Sequence, residues 1–72
     1  MKNLTRADVD SIEAIMDRTS LFAVLESIVG ICFDKSQHIS ENWQDKSLAR
    51  EWERAGKVVD KAANADVIGR LT

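Results

Sequence analysis

The chain has 72 residues, 44% of them hydrophobic and 31% charged, and its net charge at pH 7 is −2. This length allows one domain at most, and a core of this size rarely supplies more than about 3–5 kcal/mol of stability by itself. A lone cysteine, Cys32, excludes an intramolecular disulfide and is typical of a reducing compartment, so we expect a cytoplasmic protein. The slightly acidic charge balance argues against nucleic acid or an anionic membrane as partner.

The sequence pattern predicts a single all-α domain over residues 1–72. The sequence contains no proline, no strand-like alternation and no hairpin turn signal. A first helix over about residues 6–17 is expected to begin behind Thr5, with Asp8 in the capping-box position. Its apolar face is formed by four residues: Val9, Ile12, Ile15 and Met16.

The second helix is expected over residues 21–43, behind Ser20 as N-cap. Apolar side chains between Leu21 and Phe33 cover roughly 200° of its circumference, against the ~100° that a helix with one buried side needs. Such a helix needs protein on at least two sides, so the sequence predicts self-association, most simply as a homodimer. The residues expected at that interface are Phe22, Val24, Val29, Ile31 and Phe33. The apolar run is too short to span a membrane.

The third helix is expected over residues 46–63, with Asp45 as N-cap and Asn64 as C-cap. Its apolar residues recur at alternating spacings of four and three, which is typical of a helix that packs lengthwise against another. This seam consists of Leu48, Trp52, Ala55, Val59 and Ala62. The tail, residues 65–72, is expected to be a short turn or a frayed end.

The short connections make consecutive helices antiparallel neighbours. We therefore expect a three-helix, hairpin-type bundle with a long central helix, and the first helix packed across one end. In the core, Leu25, Ile28, Cys32 and Ile39 should face Trp52, Ala55 and Val59. Trp43 and Trp52 should close opposite ends of this seam.

No residue pattern predicts catalysis, so we expect no enzyme, no cofactor and no metal. The serines lack a glycine elbow, and the chain has one histidine and no phosphate-binding glycine loop. Asp34, His38 and Glu41 project from one side of the second helix, which makes a metal or small-molecule site conceivable. Their spacing matches no strong zinc motif, which favours a solvated polar face.

A basic stripe on the third helix is the clearest charge pattern. It consists of Lys46, Arg50, Arg54, Lys57 and Lys61. A stripe of this kind can follow the phosphates of a nucleic acid or bind an acidic protein surface. However, Glu53 and Asp60 border it at ion-pairing distance along the helix, and no aromatic side chain is interleaved to stack on a base. A solvated, ion-paired face is the interpretation that these neighbours favour.

Part of the chain resembles a group of small helical proteins of bacteria and their phages. The resemblance covers about half of the chain, residues 31–63, and includes the pattern His38-Ile39-x-x-Asn42-Trp43-Gln44-Asp45. Further matching segments are residues 31–37, 48–52 and 60–63. The resemblance implies a helical fold and no particular activity.

The sequence as a whole favours a non-enzymatic, self-associating helical protein that acts as a protein-interaction or regulatory module. The alternative is a nucleic-acid-associated protein that uses the basic stripe of the third helix.

Overall fold

The computed structural model describes residues 3–71, which form four α-helices and one π-helical turn. The elements are α1 (Arg6–Arg18), α2 (Leu21–His38), the π-turn (Ile39–Trp43), α3 (Lys46–Ala63) and α4 (Asp66–Gly69). The predicted all-α class is confirmed over this part of the chain. Residues 1, 2 and 72 of the predicted domain and tail lie outside the described residues. Within residues 3–71, no helix has both the length and the apolar character needed to cross a membrane.

The predicted helix starts are confirmed by their capping hydrogen bonds. The Asp8 N–H donates to Thr5 Oγ1 at 3.1 Å, and the Thr5 N–H donates back to the Asp8 carboxylate at 3.0 Å. Ser20 Oγ accepts a hydrogen bond from the Ala23 N–H, and the Asp45 carboxylate accepts one from the Leu48 N–H, each at 3.0 Å. At its other end, α3 has Asn64 as C-cap, as predicted. The N-caps satisfy N–H groups that the first turn of a helix leaves without a backbone partner.

The second helix does not continue as a regular α-helix to Trp43, which corrects its predicted end. The α-helix ends at His38, and the next five residues form the π-turn. The Asn42 side-chain amide donates to the His38 carbonyl at 3.1 Å, which gives that carbonyl a partner other than a backbone N–H. Gln44 then adopts the left-handed conformation, with φ at 53°, and the chain turns into α3.

The α2 and α3 helices pack closely along their length. The Ser36 hydroxyl donates to the Ala49 carbonyl at 2.6 Å, and a Cβ added to Gly56 would lie 3.0 Å from Cε1 of Phe33. Ser36 follows Phe33 on α2, whereas its partner Ala49 precedes Gly56 on α3, so the two helices run antiparallel. Their buried residues are mostly small: Val29 and Cys32 on α2, and Ala49, Gly56 and Ala63 on α3.

The seam on α3 is rotated relative to the prediction. Trp52 and Val59 are half-buried as expected, but the flanking positions against α2 are Ala49, Gly56 and Ala63. The members of the predicted seam that the structure exposes are Leu48, Ala55 and Ala62. Small residues let the α3 backbone come near enough for the hydrogen bond from α2, whereas a row with Leu48 in it would hold the helices apart.

Two further core predictions are wrong. Ile28 was expected to face α3 and is 39% exposed, because it lies on the flank of α2. Trp43 was expected to close one end of the seam and is 73% exposed, because the π-turn and the left-handed Gln44 carry it past the end of the packed helices.

The three long helices lie side by side in chain order. Within residues 3–71, α1 contacts α2 but not α3, so α2 lies between them, and α4 contacts both α2 and α3. The molecule measures 38 × 29 × 17 Å, and its radius of gyration is 14.1 Å. A compact domain of this length would have a radius of gyration of about 11 Å.

Candidate interaction surface

One broad side of the α2–α3 pair is apolar. The Lys35 ammonium lies 5.4 Å from the centroid of the Trp52 ring, so these two residues share a side. Ile31 and Ile28 lie one and two helical turns before Lys35 and therefore point the same way. On α3, Leu48 and Ala55 flank Trp52 by one turn in each direction. We call this the apolar side; its exposed members on the two helices are Ile28, Ile31, Leu48, Ala55 and Ala62.

A groove between α1 and α2 extends the apolar side. Its volume is about 390 Å³, and Thr19 and Ser27 are its two polar lining residues. The remaining lining residues are Ile12, Ile15, Ala23, Val24, Ile28 and Ile31. Ile12 and Ile15 remain 41% and 44% exposed, and α1 contains no buried residue. The face that the sequence assigns to packing against α2 is therefore only partly covered by it.

The structure divides the residues predicted at the interface among three places. Val24 and Ile31 line the groove, and Ile31 is 53% exposed. Val29 is only 9% exposed and belongs to the chain's own core, which leaves little of its side chain for contact with a partner. Phe33 packs on Gly56 and lines a second groove on the opposite side of the α2–α3 pair. Phe22 is half-buried.

Sequence reasoning did not include α1 in the interface. The signal was present, since the first helix was predicted to carry an apolar face. That face was assigned wholly to packing within the chain, and Ile12 and Ile15 were therefore left out of the predicted surface.

The opposite side of the α2–α3 pair is polar. Its groove of about 590 Å³ has a mixed lining of both charges and neutral polar groups. The lining residues are Phe33, Ser36, Gln37, Ser40, Glu41, Lys46, Ala49, Arg50 and Glu53. We call this the polar side. Because two cations face two carboxylates there, the groove has no strong preference for a ligand of either charge.

The basic stripe is partly ion-paired. Lys57 pairs with Glu53 at 3.4 Å, and Arg54 pairs with Glu51 at 3.6 Å. All four side chains are well exposed, and such surface pairs are worth about 0–1 kcal/mol each. The other three cations of the stripe have no ion pair within residues 3–71: Lys46, Arg50 and Lys61. The Asp60 carboxylate, predicted to border the stripe, accepts a hydrogen bond from the Asn64 amide at 3.3 Å.

The polar residues around His38 form two separate pairs, each between side chains four residues apart. His38 Nδ1 lies 3.1 Å from the Asn42 side-chain amide nitrogen, and the Glu41 carboxylate accepts a hydrogen bond from Gln37 at 3.1 Å. Over the described part of the chain, no three histidine, cysteine, aspartate or glutamate side chains lie close enough together to hold a metal ion. The thiol of Cys32 is free and buried.

No family model matches the chain, and neither a curated protein nor a solved structure does. The resemblance to the small bacterial and phage proteins stays a prediction.

Proposed function

We propose that the protein is a non-enzymatic interaction module whose functional form is a homodimer, assembled through the apolar side and the adjoining α1–α2 groove. The accessible surface carries this proposal. The chain exposes 5,855 Å², whereas a folded monomer of its mass exposes about 4,500 Å². The excess of roughly 1,300 Å² is more than the ~800 Å² that each partner buries in a stable interface of standard size.

A second copy is the partner that the shape of the molecule favours. The molecule is flat, since its shortest dimension of 17 Å is less than half of its longest, 38 Å. Stacking two apolar sides gives the exposed side of each α2–α3 pair a second set of helices to pack against. It also covers the exposed faces of Ile12 and Ile15 on α1, which has no buried residue of its own. The free, buried thiol of Cys32 is in keeping with a location in the cytoplasm.

The proposed dimer leaves the polar side and the basic stripe accessible. These surfaces would bind another macromolecule, so the module would act as an adaptor or regulator. The apolar groove supports binding rather than catalysis, because its only hydroxyl groups come from Thr19 and Ser27 and its other lining residues are apolar.

The test is the solution mass by light scattering on a size-exclusion column, over a wide range of dilution. We expect twice the chain mass of 8.1 kDa for the wild type. Ile31→Glu places a charge on the apolar side and should yield a helical monomer. Ser40→Glu is the matched control: it adds the same charge, but Ser40 is exposed and lines the groove on the polar side, away from the proposed interface. This control should remain a dimer.

Two outcomes overturn the proposal. A wild-type chain that is monomeric at every concentration shows that the apolar side does not bind its own copy. A dimer that Ile31→Glu and Ser40→Glu leave equally intact shows that the interface lies elsewhere.

The second candidate function is binding of nucleic acid through the basic stripe, and the absence of ion pairs at Lys46, Arg50 and Lys61 favours it. Binding of labelled single-stranded and duplex DNA should then be detectable at low salt and fall steeply as salt rises. Replacing these three cations with glutamine should reduce the slope of that dependence. If no binding is seen even at low salt, this candidate is eliminated.

A further inference from the structure

The exposed seam on α3 points to the symmetry of the dimer, and this inference rests on the proposed function. The α3 helix carries two overlapping seams that share Trp52 and Val59. The first contains Ala49, Gly56 and Ala63 and is buried against α2. The second contains Leu48, Ala55 and Ala62, lies on the apolar side and is exposed. Together with the shared Trp52 and Val59, its residues are spaced alternately by four and three, which is typical of lengthwise packing against another helix.

We propose that α3 packs antiparallel against α3 of a second copy, with Ala55 at the twofold axis. The apolar residues of the exposed seam are symmetric about this position. Leu48 and Ala62 each lie seven residues from Ala55, on opposite sides. An interface around a twofold axis is isologous, so each contact occurs twice with its partners exchanged. Leu48 therefore meets Ala62 of the other copy, and Ala62 meets its Leu48.

Side-chain sizes along the seam fit this arrangement. The large Leu48 faces a small alanine, and the two Ala55 residues face each other at the axis. Trp52, which lies three residues before Ala55, is level with Val58 of the other copy and packs beside that copy's Val59. The half-exposed indole of Trp52 would thereby become covered. A parallel arrangement would instead place Leu48 against Leu48 and Trp52 against Trp52, which leaves the helices spaced unevenly along their length.

The charges also fit. Lys46 and Arg50 line the groove on the polar side, so antiparallel stacking of the two apolar sides keeps the basic stripes of both copies outside the interface. On α2, the residues at the same level as Ala55 adjoin the contact between Gly56 and Phe33. Ile31, which is 53% exposed, therefore also lies near the axis and is covered in the same step.

Disulfide trapping tests this symmetry. In a Cys32→Ala background whose mass equals that of the wild type, Ala55→Cys should form a disulfide between copies in a glutathione redox buffer. Two cysteines at the axis can reach the Cβ separation of about 3.8 Å that a disulfide needs. Lys57→Cys is the matched control, since the Lys57 side chain is 69% exposed and equally available to chance collisions but lies about 160° around α3 from Ala55. It should crosslink far more slowly.

A second pair of variants distinguishes antiparallel from parallel packing. Leu48→Cys chains mixed with Ala62→Cys chains should crosslink with each other. Neither should crosslink with itself, because two copies of residue 48 lie about 21 Å apart along an antiparallel pair. Self-crosslinking of Leu48→Cys, or equal rates for Ala55→Cys and Lys57→Cys, overturns the inference even if the wild type is a dimer. A monomeric wild type overturns the proposed function as well.

Discussion

Gly56 of α3 lies directly against the Phe33 ring of α2, so close that a side chain at that position would have to displace the ring. A Cβ added at Gly56 would lie 3.0 Å from Cε1 of Phe33 and 3.2 Å from Cβ of Cys32. The closeness of the two helices therefore depends on the absence of a side chain here. By contrast, a Cβ added to Gly30 would have no atom within 4 Å.

These two glycines make a matched pair for a stability measurement. Gly30→Ala should raise the free energy of unfolding by about 0.5–1 kcal/mol, because alanine has the higher helix propensity and nothing hinders it. Gly56→Ala receives the same gain but overpacks the helix contact, which costs about 1–3 kcal/mol. Its stability should therefore fall to or below that of the wild type. The measurement is urea unfolding at one fixed protein concentration, because dimerisation makes stability depend on concentration. Equal gains from both variants would contradict the close approach of α2 and α3.

Ser36 supplies the hydrogen bond that ties α2 to the first turns of α3. Its hydroxyl donates to the Ala49 carbonyl at 2.6 Å, and Ala49 is buried. Ser36→Ala should reduce the free energy of unfolding by about 0.5–1.5 kcal/mol, the usual net value of such a bond. Ser47→Ala, at an exposed position of α3, is the control and should change stability by no more than about 0.5 kcal/mol. Indistinguishable unfolding midpoints for the two variants would show that the bond is not formed in solution.

Val29 and Ile31 should respond differently to truncation, although the sequence predicts both at the interface. Val29 is 9% exposed, and Val29→Ala should cost about 1–3 kcal/mol at every protein concentration, because it leaves a cavity within the chain. Ile31 is 53% exposed, so Ile31→Ala should weaken the dimer and change the stability of the monomer little. Unfolding curves recorded over a dilution series separate the two effects. A concentration-dependent loss for Val29→Ala alone would reverse the assignment.

The capping box of α1 should make the start of that helix sensitive to acid. The Thr5 backbone N–H lowers the pKa of the Asp8 carboxyl below its ordinary value of 3.8, and the Thr5 side chain adds to the shift. A carboxyl group whose pKa is lowered in the folded state stabilises the fold at pH values above the pKa that the group has in the unfolded chain. That contribution is lost as the pH falls through the lower, folded value. The α1 terminus should thus stay intact down to about pH 3.8 and loosen below it.

The pH prediction is checked by following the Asp8 side-chain resonance in an NMR titration. The midpoint should lie below 3.8. Asp8→Asn retains the shape of the side chain but removes its charge, so the acid-dependent loosening at Thr5 should disappear in this variant. A midpoint at or above 3.8 would show that the capping box is not populated in solution.

The helix starts were predictable from the sequence because capping is local. Thr5, Ser20 and Asp45 each precede a run of helical periodicity, and each side chain bonds a backbone N–H only three residues away. Such signals need no information about the rest of the fold. The π-turn was not predictable in this way, because apolar periodicity does not distinguish an α-helix from a π-helical continuation of five residues.

The register of α3 was decided only by the tertiary structure. The spacing of apolar residues on this helix suits two seams that share Trp52 and Val59, and a sequence pattern gives most weight to the one with the larger side chain, Leu48. In the structure it is the other seam that packs against α2, because the small residues Ala49 and Gly56 allow α2 and its Phe33 ring to approach α3. The sequence by itself therefore determined an all-helical chain with more apolar surface than it can cover. Which part of that apolar surface stays exposed depends on which faces of α2 and α3 pack together. The close approach of these two helices is possible only where small residues line the contact, and this is a property of the folded chain.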